Sequence, residues 1–133
     1  MSIRQELETK LATFAAAQTP PIPISWEGVS FTKPTNLPWL QMFLISSTTI
    51  SSDVAATRIR ERGTLAITVW SPSGSGAGVI EILADKIVQL FPVVPKTGTV
   101  SIEGPGNSGR IMLDNSGWLA LPITFPYRVE AII

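Results

Sequence analysis

The sequence has no cysteine and no histidine among its 133 residues. Disulfides, thiol catalysis and cysteine-based zinc sites are thereby excluded. The missing imidazole also removes the commonest general base and the commonest metal ligand. Charge is scarce: Asp, Glu, Lys and Arg make up 15% of the chain, against about 25% in an average soluble domain. The ten basic and ten acidic residues cancel, so the basic excess that marks a nucleic-acid surface is lacking. Long apolar runs are lacking too. Charge-free segments such as Pro34 to Ser52 are broken by Pro, Asn, Gln and Ser, and none could span a bilayer. The opening MSIRQELETK carries charges of both signs and no apolar centre, so it is not a secretory signal. These features together predict a soluble, intracellular protein.

What is present suits a single domain over 1–133. A chain of this length can bury roughly two thirds of its unfolded surface. With 44% hydrophobic residues and so few charges, the surface must rely on Ser, Thr, Gly and Pro. One reading is a small β-rich domain with many turns. The other is a surface largely covered by partner subunits, because the cores of interfaces are depleted of charge.

Residues Ser2 to Ala17 predict a helix, with Ser2 and Gln5 as a capping box and Ile3, Leu7, Leu11 and Phe14 as one apolar stripe. TPPIP ends it, since proline cannot continue a helix. Ile24 to Phe31 reads as a strand. Trp39 to Ile45 is apolar on both alternating faces apart from Gln41, the pattern of a strand covered on both sides. The polar stretch from Ser46 to Thr57, extended to Arg62, reads as a long loop. Gly63 to Trp70 is a strand with Leu65, Ile67 and Val69 on one face. Val79 to Phe91 is a second helix, with Val79, Leu83, Ile87 and Leu90 on its core side and Ile80 and Ile82 widening it. Thr99 to Glu103, Arg110 to Leu113 and Trp118 to Val129 predict three more strands, with GPGNSG and DNSG as turns of an antiparallel meander. In the last strand Pro122 and Pro126 fall on one parity. Both missing N–H donors therefore lie on one edge, which should be free, bulged or partly paired. The fold class is α+β: a mostly antiparallel sheet of about six strands with two helices packed on it.

SPSGSGAG, at 71–78, follows a strand and opens a helix, as many nucleotide sites do. Yet Gly74, Gly76 and Gly78 do not complete the dinucleotide fingerprint, and no Gly-Lys-Ser/Thr follows for a P-loop. A helix start can attract an anion. A flexible helix entry capped by Ser73 or Ser75 is the favoured reading of these residues. A small ligand-binding domain using this turn is the alternative function. The acids fall where solvated acids fall: Glu6 and Glu8 in the first helix, Glu81 and Asp85 in the second, Asp114 in a turn. Asp53, Asp114 and Asn115 do not make a calcium loop. Arg58, Arg60 and Arg62 form one basic strip. If extended, they point one way over roughly 13 Å, as a solvated strand end or as a salt-bridge strip toward a neighbouring subunit. The four tryptophans, at 26, 39, 70 and 118, fit core packing.

Taken together, ETKLATFAAAQTPPIPISWEGVSF, LQMFLI, ITVWSPSGSGAGVIEILADKIVQLFP and GWLALPITFPYRV resemble the tail terminator and tail completion proteins of long-tailed bacteriophages. The likeness spans nearly the whole chain and lies in the order and spacing of elements rather than in one motif. It implies a structural virion protein of the phage tail, assembled in the host cytoplasm, with no cofactor and no catalytic residue. It implies a homo-oligomer, commonly a hexameric ring, that caps the tail tube and ends its polymerisation. It would also offer a surface to a head-completion or connector protein, with DNA passing through unread. A head–tail connector or neck subunit is the near alternative. Candidate subunit-contact residues are Arg58, Arg60 and Arg62, Asp53 in the polar loop, and Pro122 and Pro126 on the proline-marked edge.

Overall fold

A computed structural model describes residues 3–18, 21–32, 34, 37–51, 58–72, 74, 77–91, 100–102, 104, 106–109, 111–113 and 117–132. The elements are α1 (Ile3–Ala16), β1 (Ile24–Ser25), β2 (Trp39–Ser51), β3 (Arg58–Pro72), α2 (Ala77–Leu90), β4 (Val100–Ile102), β5 (Asn107–Ser108), β6 (Met112–Leu113) and β7 (Trp118–Ile132). The strands form one sheet in the order β1-β2-β3-β7-β4, with β5 and β6 also paired to β7. Only β1 and β2 run parallel; every other described pairing is antiparallel. This is the α+β class read from the sequence.

β3 is the spine. It pairs with β7 without a break from Arg58↔Ile132 to Pro72↔Trp118, and with β2 from Trp70↔Trp39 to Ile59↔Ser51. Side chains alternate across a strand, so unbroken register sends Leu65, Ile67 and Val69 to one face, and all three are buried. Leu40 and Met42 from β2 and Leu121, Ile123, Phe125 and Tyr127 from β7 join them. The helices close this face. Leu7 and Leu11 of α1 and Ile80, Leu83, Ala84 and Ile87 of α2 belong to the same cluster, each large aliphatic side chain stabilising by about 1.5–3 kcal/mol on burial. Phe91, just past α2, meets Phe125 at 5.2 Å between ring centroids, and Lys10 Nζ lies 5.6 Å from the Phe91 ring centroid.

Four readings of the sequence need correction. First, Ile24 to Phe31 is not one strand: β1 stops at Ser25, and the chain turns through Trp26–Val29, with Gly28 at φ +77°. Second, the 46–62 stretch is not one loop. β2 continues to Ser51 and β3 begins at Arg58, because β-branched Thr48, Thr49 and Ile50 suit strand geometry and β3 supplies a full ladder; residues 52–57 lie outside the described ones. Third, in α2 the core takes Ile80 rather than Val79. Val79 and Ile82 remain 46% and 62% exposed. Fourth, β4, β6 and β7 make no meander. β4, β5 and β6 all pair with β7, as successive pieces of one interrupted edge strand.

That interruption has a local cause. From Val100↔Val129 to Asn107↔Thr124, seven residues of the edge advance against five of β7, so the edge bulges. The bulging segment is glycine-rich where it crosses proline and phenylalanine. A Cβ on Gly109 would come 2.9 Å from Pro122 Cγ, one on Gly104 3.2 Å from Pro126 Cγ, and one on Gly106 2.5 Å from the Phe125 ring. Pro122 still contributes to pairing through its carbonyl, which accepts the Gly109 N–H at 2.8 Å. The proline-marked edge is thus partly paired, as the missing N–H groups require.

Gly63 is needed for a different reason. A Cβ there would collide with the Ile45 carbonyl oxygen and stand 2.5 Å from Tyr127 Oη, and backbone cannot step aside as a flexible side chain can. Gly63→Ala is expected to lower stability by about 2 kcal/mol, a fall in Tm of roughly 5–10 °C. Gly74→Ala, with nothing within 4 Å of its added Cβ, should leave the thermal unfolding curve within a degree or two of wild type.

Candidate functional site

The alternation that buries Leu65, Ile67 and Val69 turns Arg62, Thr64, Ala66, Thr68 and Trp70 to the opposite face of β3. Neither helix lies on that face. At one end it is closed by aromatics: Trp39 stacks on Trp70 at 5.1 Å and 4° between ring planes, meets Trp118 edge-on at 6.3 Å, and has Phe31 at 5.0 Å. Trp70 Nε1–H donates to Gln41 Oε1 at 3.2 Å. This cluster buries Trp39. Beyond it cover ends. Phe43 is 38% and Ile45 54% exposed, beside Thr64 and Ala66 across the β2–β3 ladder and Thr124 and Pro126 on β7. The sequence predicts Trp39–Ile45 covered on both sides; on the outer side the described residues cover Trp39 but leave Phe43 and Ile45 exposed.

No charged residue occurs in Trp39–Ile45, Thr64–Trp70 or Ala120–Pro126. Charge returns further along the strands, at Arg62, paired in register with Arg128, and at Arg60, opposite Glu130. Arg58, Arg60 and Arg62 are all in β3 and share the outward parity, so the extended geometry expected for the strip is present. Arg62 is exposed. Asp53 lies outside the described residues. Pro122 is half-buried and Pro126 exposed, both on the outward parity of β7, with their edge overlaid by β4, β5 and β6.

The opposite edge of the sheet is closed by different means. β1 pairs with β2 only at Leu40 and Gln41, with Leu40 N–H donating to the Pro23 carbonyl at 3.0 Å. Where β1 turns away, the Glu27 side chain continues the series of acceptors: its Oε1 takes the Leu44 N–H at 2.7 Å and Arg4 Nη1 at 3.0 Å. Arg4 also lies 3.7 Å from Glu8, so one carboxylate ties α1 to the edge of β2. Further on, the register of β2 slips between Ser46 and Thr48, a bulge of the kind that blunts sheet edges.

The glycine turn brings no chemistry together among the described residues. α2 begins at Ala77, and added Cβ atoms at Gly74 and Gly78 would meet nothing within 4 Å. Glu81 and Asp85 lie exposed on α2. No described group of three His, Cys, Asp or Glu could hold a metal ion, and no described helix is long and apolar enough to cross a membrane.

The family model for the phage tail terminator protein matches residues 2–127. This chain belongs to that family. It is a structural protein of the phage tail and a component of the virion, working among other virion proteins. One solved structure is 30% identical to it, with a TM-score of 0.78, covering 96% of this chain and 92% of the other. A chain from the virion of a native gene transfer agent particle has the same fold at 12% identity, with a TM-score of 0.59 over 92% of this chain and 94% of that one. No curated protein sequence matches this tail terminator. Neither the uncovered sheet face nor the Glu27 clasp was read from the sequence. Trp39–Ile45, apolar on both parities apart from Gln41, next to the charge-free Thr64–Trp70 and Ala120–Pro126, was the available signal for the face. The clasp joins residues 23 and 17 positions apart, which no local pattern encodes.

The Leu44 N–H above all, helped by the Arg4 guanidinium, holds the Glu27 carboxyl below its ordinary value of 4.5, against an opposing effect of burial. A lowered folded value means that the ionised carboxylate stabilises the fold fully above about pH 4.5, and that this contribution is lost as pH falls through the folded value. Glu27→Ala is expected to reduce unfolding free energy by on the order of 1 kcal/mol near neutral pH, moderated by solvent exposure. Denaturant midpoints of the two proteins should converge as pH falls through the folded-state value of Glu27.

Proposed function

We propose that the protein forms a closed ring of identical subunits on the end of the tail tube, stops tube polymerisation, and offers its far side to the head. The family match over residues 2–127 carries this reading. The uncharged, uncovered sheet face supports it, because a subunit that spends its working life between neighbours needs few charges on the surfaces they cover. Six subunits is the expected number, each a single domain spanning 1–133. The tube protein and a head-completion or connector protein are its partners, and DNA passes through the ring without being read. The role requires no catalysis.

Such a ring uses heterologous contacts that close by rotation, and the Arg58, Arg60 and Arg62 strip, Asp53, Pro122 and Pro126 are the candidate contact residues away from the core. Adding the protein to elongating tail tubes should arrest growth, giving a narrower and shorter length distribution in electron micrographs. Tubes of unchanged length would reject the terminator role in favour of a neck or connector subunit. Reversing Arg58, Arg60 and Arg62 together to Glu is expected to weaken arrest at least tenfold in protein concentration, with Tm within a few degrees of wild type. Undiminished arrest would place the strip outside the contacts.

A further inference from the structure

The two edges of the sheet are short or interrupted: one is the broken strand β4, β5 and β6, and the other is β1, with the Glu27 side chain and the bulge near Ser47 beside it. Neither gives a neighbour a long, regular strand to pair with. The faces are different. The outer sheet face offers Phe43 and Ile45, two large apolar side chains standing from an uncharged surface. The helix layer, on the other side of the molecule, carries the apolar residues of α2 that the core did not take, Val79 and Ile82. Together with Ile22, Leu37 and Pro38 they line an open cavity of about 220 Å³, with Lys86 at its margin. An apolar cavity of about 150 Å³ is enough to hold a benzene ring, so this groove has room for a phenyl side chain.

We infer that Phe43 on the sheet face of one copy seats in the groove beside Val79 and Ile82 of the next, making a heterologous contact between copies of this chain. Three observations select a second copy as the occupant. The exposed sheet patch and the groove are different surfaces on opposite layers of one subunit, which is what head-to-tail association needs and what an isologous dimer does not. The groove suits the exposed Phe43 ring in size and in apolar character. The sheet patch has no positive charge with which to hold a nucleic-acid backbone. Three strands at 4.8 Å spacing, with outward positions repeating every two residues, give the sheet patch an area of only about 300 Å². A stable pair of proteins buries about 800 Å² on each partner. The contact is therefore weak between two subunits, and closure, in which each subunit both gives and receives, supplies the missing avidity.

This inference rests on the ring reading, and the absence of native cysteine allows the two to be tested apart. Ile45→Cys, beside Phe43 on the same sheet face, and Ile82→Cys would be made singly and together; both side chains are exposed, so folding should survive. Native mass at high protein concentration, and with tail tubes present, reports whether a ring forms. A short bis-maleimide then reports the contact. The expected result is a mixed dimer from the two single variants combined, little product from either alone, and a ladder ending at the ring from the double variant. Phe43→Ala should raise the concentration needed for assembly at least tenfold. A ring without mixed cross-links overturns this contact and leaves the ring reading standing. So does a dimer formed by Ile45→Cys alone, which would show two sheet faces meeting. Cross-linking of Ile45→Cys to the tube protein instead overturns it in favour of the tube. A protein that stays monomeric under both conditions overturns ring and contact together.

Discussion

The unbroken register of β3 is the constraint on which the rest of the structure depends. Because β3 pairs with β7 from Arg58 to Pro72 without a bulge, its alternation never changes phase. A single slip would exchange the buried Leu65, Ile67 and Val69 for Ala66, Thr68 and Trp70. The helices would then face Ala66, Thr68 and Trp70 instead of the aliphatic core, and the aliphatic side chains would face water. The one irregularity described in the β2–β3 ladder is placed in β2, near Ser47, beyond the buried Leu40 and Met42. Gly63 marks the same level of the sheet, where the Ile45 carbonyl and the Tyr127 ring approach β3 too closely for any side chain.

The same parity divides the molecule into a face that the chain covers and a face that it leaves. α1 and α2 serve only the first. On the second, the stacked Trp39 and Trp70 with Trp118 and Phe31 form a small satellite cluster, which fixes the end of the sheet without enclosing Phe43 or Ile45. Broken edges and an uncharged open face set this sheet apart from one that presents a long free strand for pairing.

The sequence was most legible where one periodicity ruled. Leu65, Ile67 and Val69 at period two, and Leu7 and Leu11 at helical spacing, went where the pattern put them. It was least legible where a tertiary neighbour decided the outcome. Ser46–Ser51 looks like loop because its composition is polar, yet a strand already in place accepts Ser and Thr on its flank. GPGNSG looks like a turn because glycine and proline usually mark one. Here the glycines thin the edge strand so that it can pass over Pro122, Phe125 and Pro126. α2 is apolar over too wide an arc, and sequence alone could not show which part the core would leave out. Asp53 and the rest of 52–57 lie outside the described residues, and the contact roles of Arg58, Arg60, Arg62, Pro122 and Pro126 depend on partners that the sequence does not contain.

The position of β7 has a consequence for synthesis. It lies between β3 and the β4–β6 edge, yet it is translated after both. Until it emerges, β3 has one unpaired side, and β4, β5 and β6 have no strand to pair with. The contacts that complete the sheet join residues far apart in the sequence, such as Arg58 with Ile132, and such non-local pairings form slowly. The nascent subunit therefore passes through a stage with a β2–β3 hairpin, a bare sheet edge and an uncompleted core, the kind of species most open to aggregation. Its outer face, by contrast, cannot take final shape until Trp118 joins Trp39 and Trp70. A partly made subunit therefore lacks the finished outer face until its last strand arrives.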